Sequence, residues 1–162
     1  MKLSVQKQLE KWLSEAENVV VAGVGNPIRM DDYVGVKVVQ DLRGKVSEKV
    51  FLIECETVPE SFMQQIIDFH PTHVLLTDAA LLDSKPGTFK LVKPERLTAY
   101  PAFSTHTLPL RIFCDHIRDT IGAKIALLLV EPEKSDFGEG LTPTVQASRK
   151  EIVEALVKAL PQ

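Results

Sequence analysis

Three side chains able to hold a metal or move a proton stand out by where they fall in the sequence: Asp32, Asp78 and His106. Asp32 follows a short apolar run and its turn, Asp78 closes another apolar run, and His106 precedes a helical pattern. Two carboxylates and an imidazole form an oxygen and nitrogen set suited to a borderline divalent ion such as nickel, zinc or iron, with positions left open for substrate or water. Each also has a plainer reading. Asp32 and its neighbour Asp31 follow a tight turn, and Asp31 reads equally as a helix N-cap. Asp78 reads equally as a cap on the next turn, and His106 as an N-terminal helix residue bonded to backbone.

The other nucleophiles are less promising. No Gly-x-Ser-x-Gly elbow is present, which disfavours a serine triad. Cys55 and Cys114 lack the paired spacing of a zinc or redox motif and read as buried reduced thiols. Cys55, near the end of a strand, would need a histidine beside it to act as a nucleophile. His70 and His73 read as surface residues and His116 as half-buried within a helix.

The elements that must position these groups follow from periodicity. Val19-Val20-Val21-Ala22-Gly23-Val24 is a β-branched run that breaks into Gly25-Asn26-Pro27, and Val34, Val36, Val38 and Val39 then mark a helix. This strand, tight loop and helix organise the chain. A helix over residues 3–16 precedes it, and Gly44 ends the helix that follows it. Strands are expected over 50–54, 73–79 and 123–130, with helices over 60–69, from 108 and over 142–160. The near-continuous apolar run ending at Asp78 implies a central parallel strand. Residues 88–92 return after a short turn as an antiparallel edge strand, and residues 94–106 form a loop.

This alternation predicts one α/β domain over residues 1–162, a three-layer α/β/α sandwich on a mostly parallel, mixed twisted sheet of about five strands. Residues 1–17 read as an N-terminal helical extension. In such a sheet the carboxyl ends of neighbouring strands share one edge, where Asp32, Asp78 and His106 could converge. The first loop also invites a nucleotide reading. A dinucleotide fingerprint, however, needs a third glycine where Ile28 stands, and Asp31 and Asp32 would repel a pyrophosphate.

Composition narrows the function classes. The chain has 162 residues, 44% of them apolar, with a net charge of -3. It therefore has enough apolar content for a core and no basic field for nucleic acid or anionic membrane. No apolar run approaches the roughly 20 residues that span a bilayer, and the start carries no signal-peptide core, so a cytoplasmic location is expected.

Four segments taken together resemble a known family. They are Gly23-Val24-Gly25-Asn26 with Asp31-Asp32 and Gly35, the run Val74 to Ala79, the pair Thr105-His106 before Leu108-Pro109-Leu110, and Gly138-Glu139-Gly140-Leu141-Thr142-Pro143. In this order and spacing, over roughly residues 19–158, the chain is similar to the hydrogenase maturation endopeptidases, and most similar to the branch that processes the formate-hydrogenlyase (hydrogenase 3) type. The resemblance implies a nickel-dependent, aspartic-type or metal-assisted protease. It would remove the C-terminal extension of a NiFe hydrogenase large-subunit precursor, working as a monomer. It also implies that Asp32, Asp78 and His106 are catalytic and contact nickel held by the substrate, and that Gly25, Asn26, Gly138 and Gly140 shape the substrate crevice. Met30 and Tyr33 stand where the family often has glycine, so the side chain at Tyr33 is expected either to block a φ > 0 conformation or to narrow the crevice over the ligand. A non-catalytic nickel-sensing or escort protein is the other reading of the same site.

Overall fold

The computed structural model describes residues 4–99 and 107–162. His106 lies outside the described residues. Five strands, β1 (Val19–Val24), β2 (Val50–Glu56), β3 (His73–Ala79), β4 (Phe89–Val92) and β5 (Lys124–Val130), form one sheet in the order β2-β1-β3-β5-β4. β2, β1, β3 and β5 run parallel, and β4 joins the β5 edge antiparallel. This is the expected mixed sheet. β3 lies at its centre, buried along its whole length, as its unbroken apolar sequence requires.

Helices cover both faces. On one, α1 (Val5–Trp12), α2 (Val34–Leu42) and α5 (Pro143–Ala159) bury Leu9, Val38, Leu42, Ile152 and Leu156 against Val19, Val21, Leu75 and Leu128. On the other, α3 (Met63–Phe69) and α4 (Thr107–Ile121) bury Ile66, Leu110, Phe113 and Ile117 against Val20, Val74, Leu76 and Leu127. Successive strand residues point to opposite faces, so each strand feeds both layers. Ser4 caps α1 through its Oγ, which accepts from the Lys7 amide at 3.2 Å. A bidentate pair, Arg149 Nε and Nη2 on Asp41 Oδ2 and Oδ1 at 2.5 and 2.6 Å, ties α5 to α2.

Several expectations need correction. His73 is 2% exposed, because Trp12 of α1 packs edge-on against its ring at 5.0 Å. Burial, then the nearby Lys124, lowers its pKa. His116 is exposed, since Leu110, Phe113, Cys114 and Ile117 occupy the inward face of α4. Residues 94–99, expected as loop, form a 3-10 helix. β2 runs two residues further than its apolar run suggested, to Glu56, where φ is +50°.

Candidate active site

The site is built on close backbone contacts at the carboxyl end of β1. A short 3-10 turn, Met30–Tyr33, leads into α2, and the start of α2 is pressed onto both β1 and β3. A Cβ at Gly25 would collide with the Asp32 carbonyl, one at Gly23 with Gly35, and one at Gly35 with the Thr77 carbonyl. Thr77 closes the clamp by donating its hydroxyl to the Gly35 carbonyl at 2.9 Å. Close helix–strand packing, which a dinucleotide motif obtains from its third glycine, is supplied here by Gly35.

The clamp fixes Asp32 and Asp78 to one corner. Gly23 pairs with Thr77 across β1 and β3, so Asp78 stands one residue beyond the clamp and Asp32 three residues before Gly35. Asp32 Oδ2 accepts the Asn26 amide at 2.9 Å, which aims this half-buried carboxylate. Asp78 is fully buried, and its Oδ1 accepts the Ala79 amide at 2.8 Å. Among the described residues no group of three His, Cys, Asp or Glu side chains forms a metal cage.

Asp31 has a different task from its neighbour. It is fully buried, and its carboxylate accepts four hydrogen bonds: Oδ2 from the amides of Glu133 (2.9 Å) and Lys134 (3.0 Å) and from the Thr142 hydroxyl (2.8 Å), and Oδ1 from the Thr142 amide (2.8 Å). It is not an N-cap of α2. It tethers the loop between β5 and α5. The backbone completes the joint: Met30 N donates to Gly138 O, and Gly138 N to Ile28 O at 2.9 Å. Met30, not Tyr33, adopts the left-handed conformation at φ +45°, and its side chain lies against Gly138. Tyr33 has φ -86°. Burial, followed by Glu54 and Glu56, raises its pKa. Gly138 thus seats the loop and Gly25 and Asn26 seat Asp32, while Gly140, at φ +89°, faces open space.

Glu131 is a third buried carboxylate, and sequence reasoning missed it. It is 6% exposed, and its Oε1 accepts the amides of Leu82 and Ser84 at 2.7 and 3.1 Å, holding the segment after β3. The only signal for it was its position at the end of β5, one residue beyond Val130.

Two competing chemistries fail on this geometry. The amides that would cradle a phosphate are engaged within the protein: Gly25 N on Glu56 O, Asn26 N on Asp32, Ile28 N on Asn26 Oδ1, Arg29 N on Asn26 O, Met30 N on Gly138 O, Asp31 N on Lys134 O and Asp32 N on Arg29 O. Cys55 and Cys114 are each 1% exposed, and burial pushes both thiols up to about 12. Neither is a thiolate near neutral pH. A cavity of about 880 Å3 lies elsewhere, beside Trp12, Val92, Cys114 and Lys124, and neither Asp32 nor Asp78 lines it.

Comparison with known proteins places the chain in a family. The family model described as hydrogenase maturation protease matches residues 36–159. The chain belongs to the hydrogenase maturation proteases. A relative from Methanocaldococcus jannaschii, placed by its name among these proteases, is 32% identical over 98% of this chain and 97% of its own. The hydrogenase 3 maturation protease of Escherichia coli is 24% identical, with 87% of each chain covered. The crystal structure of the NiFe hydrogenase maturation protease HycI from Thermococcus kodakarensis superposes with a TM-score of 0.86 at 30% identity, covering 94% of this chain and 98% of that one. The family's sheet and helices are those described above, and membership makes the chain a protease. No helix among the described residues is long and apolar enough to cross a membrane.

Proposed function

We propose that this protease is an endopeptidase that removes the C-terminal extension of a NiFe hydrogenase large-subunit precursor after nickel has been inserted. In this reading it works as a monomer in the cytoplasm and recognises the nickel that its substrate already holds. The observation that carries the reading is the glycine clamp, which sets Asp32 and Asp78, from separate elements, at one sheet edge where the cysteines are inert and the loop amides are occupied.

The chemistry follows from the donor set. Carboxylates and an imidazole suit a borderline divalent ion whose other ligands are thiolates of the substrate. When present, the ion supplies Lewis acidity at the scissile carbonyl. Asp32, aimed by the Asn26 amide, and the buried Asp78 contact it from one side, with His106 as the third contact. The 131–142 loop borders the same corner, tied to it by Asp31 and by the Met30–Gly138 joint, and the peptide bond is cleaved by water, which adds OH to the carbonyl carbon and a proton to the leaving amine. Requiring the ion before cutting makes cleavage a checkpoint on metal insertion.

The test uses Asp32→Asn, Asp78→Asn and His106→Ala against a nickel-loaded precursor. Each is expected to lower the cleavage rate by about 100-fold or more, with far-UV circular dichroism and melting temperature close to those of the unmodified enzyme. Full cleavage by folded Asp78→Asn contradicts the assignment.

A further inference from the structure

Five large apolar side chains stand exposed among the described residues: Ile28 (51%), Val58 (42%), Leu81 (52%), Ile112 (56%) and Phe137 (74%). Four of them lie on four different connections that leave the carboxyl ends of strands: Ile28 after β1, Val58 after β2, Leu81 after β3 and Phe137 after β5. That is the edge carrying Asp32 and Asp78. Exposed apolar residues scattered singly need no explanation, but their concentration around one site marks an interaction surface.

Part of this rim is rigid. Arg29 and Gly138 form a parallel bridge, so Ile28 and Phe137 ride on adjoining backbone segments. The Arg29 guanidinium lies 4.4 Å from the centroid of the Phe137 ring, with Nη1 donating to the Ser135 carbonyl at 3.4 Å. Asp31 anchors the same loop from beneath. A large aromatic held outward on a tethered loop loses little conformational freedom when a partner covers it. The stacked guanidinium beside it offers donors in a fixed plane, suited to a carboxylate.

Resting on the endopeptidase reading, we infer that Ile28, Val58, Leu81 and Phe137, with Arg29 stacked on Phe137, form the rim that docks the body of the folded precursor. Its occupant is an apolar patch of the precursor beside the extension, with an acidic side chain against Arg29. Asp78 lies at the carboxyl end of β3 and Asp32 in the turn after β1, so a protein substrate approaching them at this edge meets the rim first. The ion reports that the precursor is loaded. The rim reports which protein carries it, and it acts whether or not the metal is present.

The experiment measures steady-state cleavage of the nickel-loaded precursor and, separately, the affinity of the nickel-free precursor for Phe137→Ser, Ile28→Ser and Arg29→Ala. Ile112→Ser, the same kind of change on the outer face of α4, serves as control. Phe137→Ser is expected to raise KM about ten-fold with kcat within about two-fold, and to weaken nickel-free binding by a similar factor. Ile112→Ser changes neither. If the unmodified enzyme cleaves but the rim variants keep its KM and affinity, the rim is wrong and the endopeptidase reading stands. An equal loss on Ile112→Ser also overturns the rim. If the unmodified enzyme fails to cleave any loaded precursor, the endopeptidase reading falls and takes the rim with it.

Discussion

Asp31 and Asp32 are adjacent and chemically identical, yet one is sealed inside the protein and the other is half-buried. What separates them is the set of donors each meets. Asp31 faces four donors from residues 133–142, and any change that leaves one of them unpaired in a buried place is costly. Asp31→Asn sets an amide NH2 against at least one donor. It is expected to lower unfolding free energy by about 2–4 kcal/mol, measured by urea denaturation, whereas Asp32→Asn changes stability far less. The cysteines give a second prediction. With both thiols pushed up to about 12, iodoacetamide at pH 8 leaves the folded enzyme unlabelled and active, and intact mass shows two adducts only after unfolding. Both Asp31's role and His73's burial escaped sequence reasoning for the same reason. Their deciding neighbours, Glu133 to Thr142 for one and Trp12 for the other, lie far away along the chain, and periodicity carries no information about such contacts.

At the level of elements, the sequence was far more informative. The β-branched run before Gly25, the apolar runs over 50–54, 73–79, 88–92 and 123–130 and the 3.6-residue spacing of the helices account for the five strands and five α-helices of the described residues, because burial on a sheet face or helix stripe imposes a local pattern. The clamp was half visible. Gly23 and Gly25 announced a tight turn, but the need for Gly35 depends on Thr77 of a different strand. Gly35→Ala is expected to cost about 1–3 kcal/mol through overpacking and to slow cleavage by displacing Asp32, a pair of effects that calorimetry and precursor turnover check together. The α2–α5 tie makes a pH prediction. Hydrogen bonding from Arg149 holds the Asp41 carboxyl below its usual range. A depressed folded pKa contributes stability that is present above the unfolded value, near 3.9, and is lost as pH falls through the folded value. Arg149→Ala should therefore cost about 1 kcal/mol at pH 6, and the gap between variant and unmodified protein should close as the pH drops below about 3.9.

Over the whole molecule, two helical layers brace the sheet so that its carboxyl edge is left to strand ends and loops, and that edge carries Asp32 and Asp78. Asp32 and Asp78 are set by the clamp, the 131–142 loop is set by Asp31, and an apolar rim surrounds them. Family membership supplies the protease. Dependence on nickel is tested by following cleavage through intact mass. A candidate large-subunit precursor, nickel-loaded and nickel-free, is incubated with the enzyme and its intact mass is followed over time. A C-terminal peptide is expected to be lost from the loaded precursor alone, at a single bond. Equal cleavage of the nickel-free precursor would contradict that dependence.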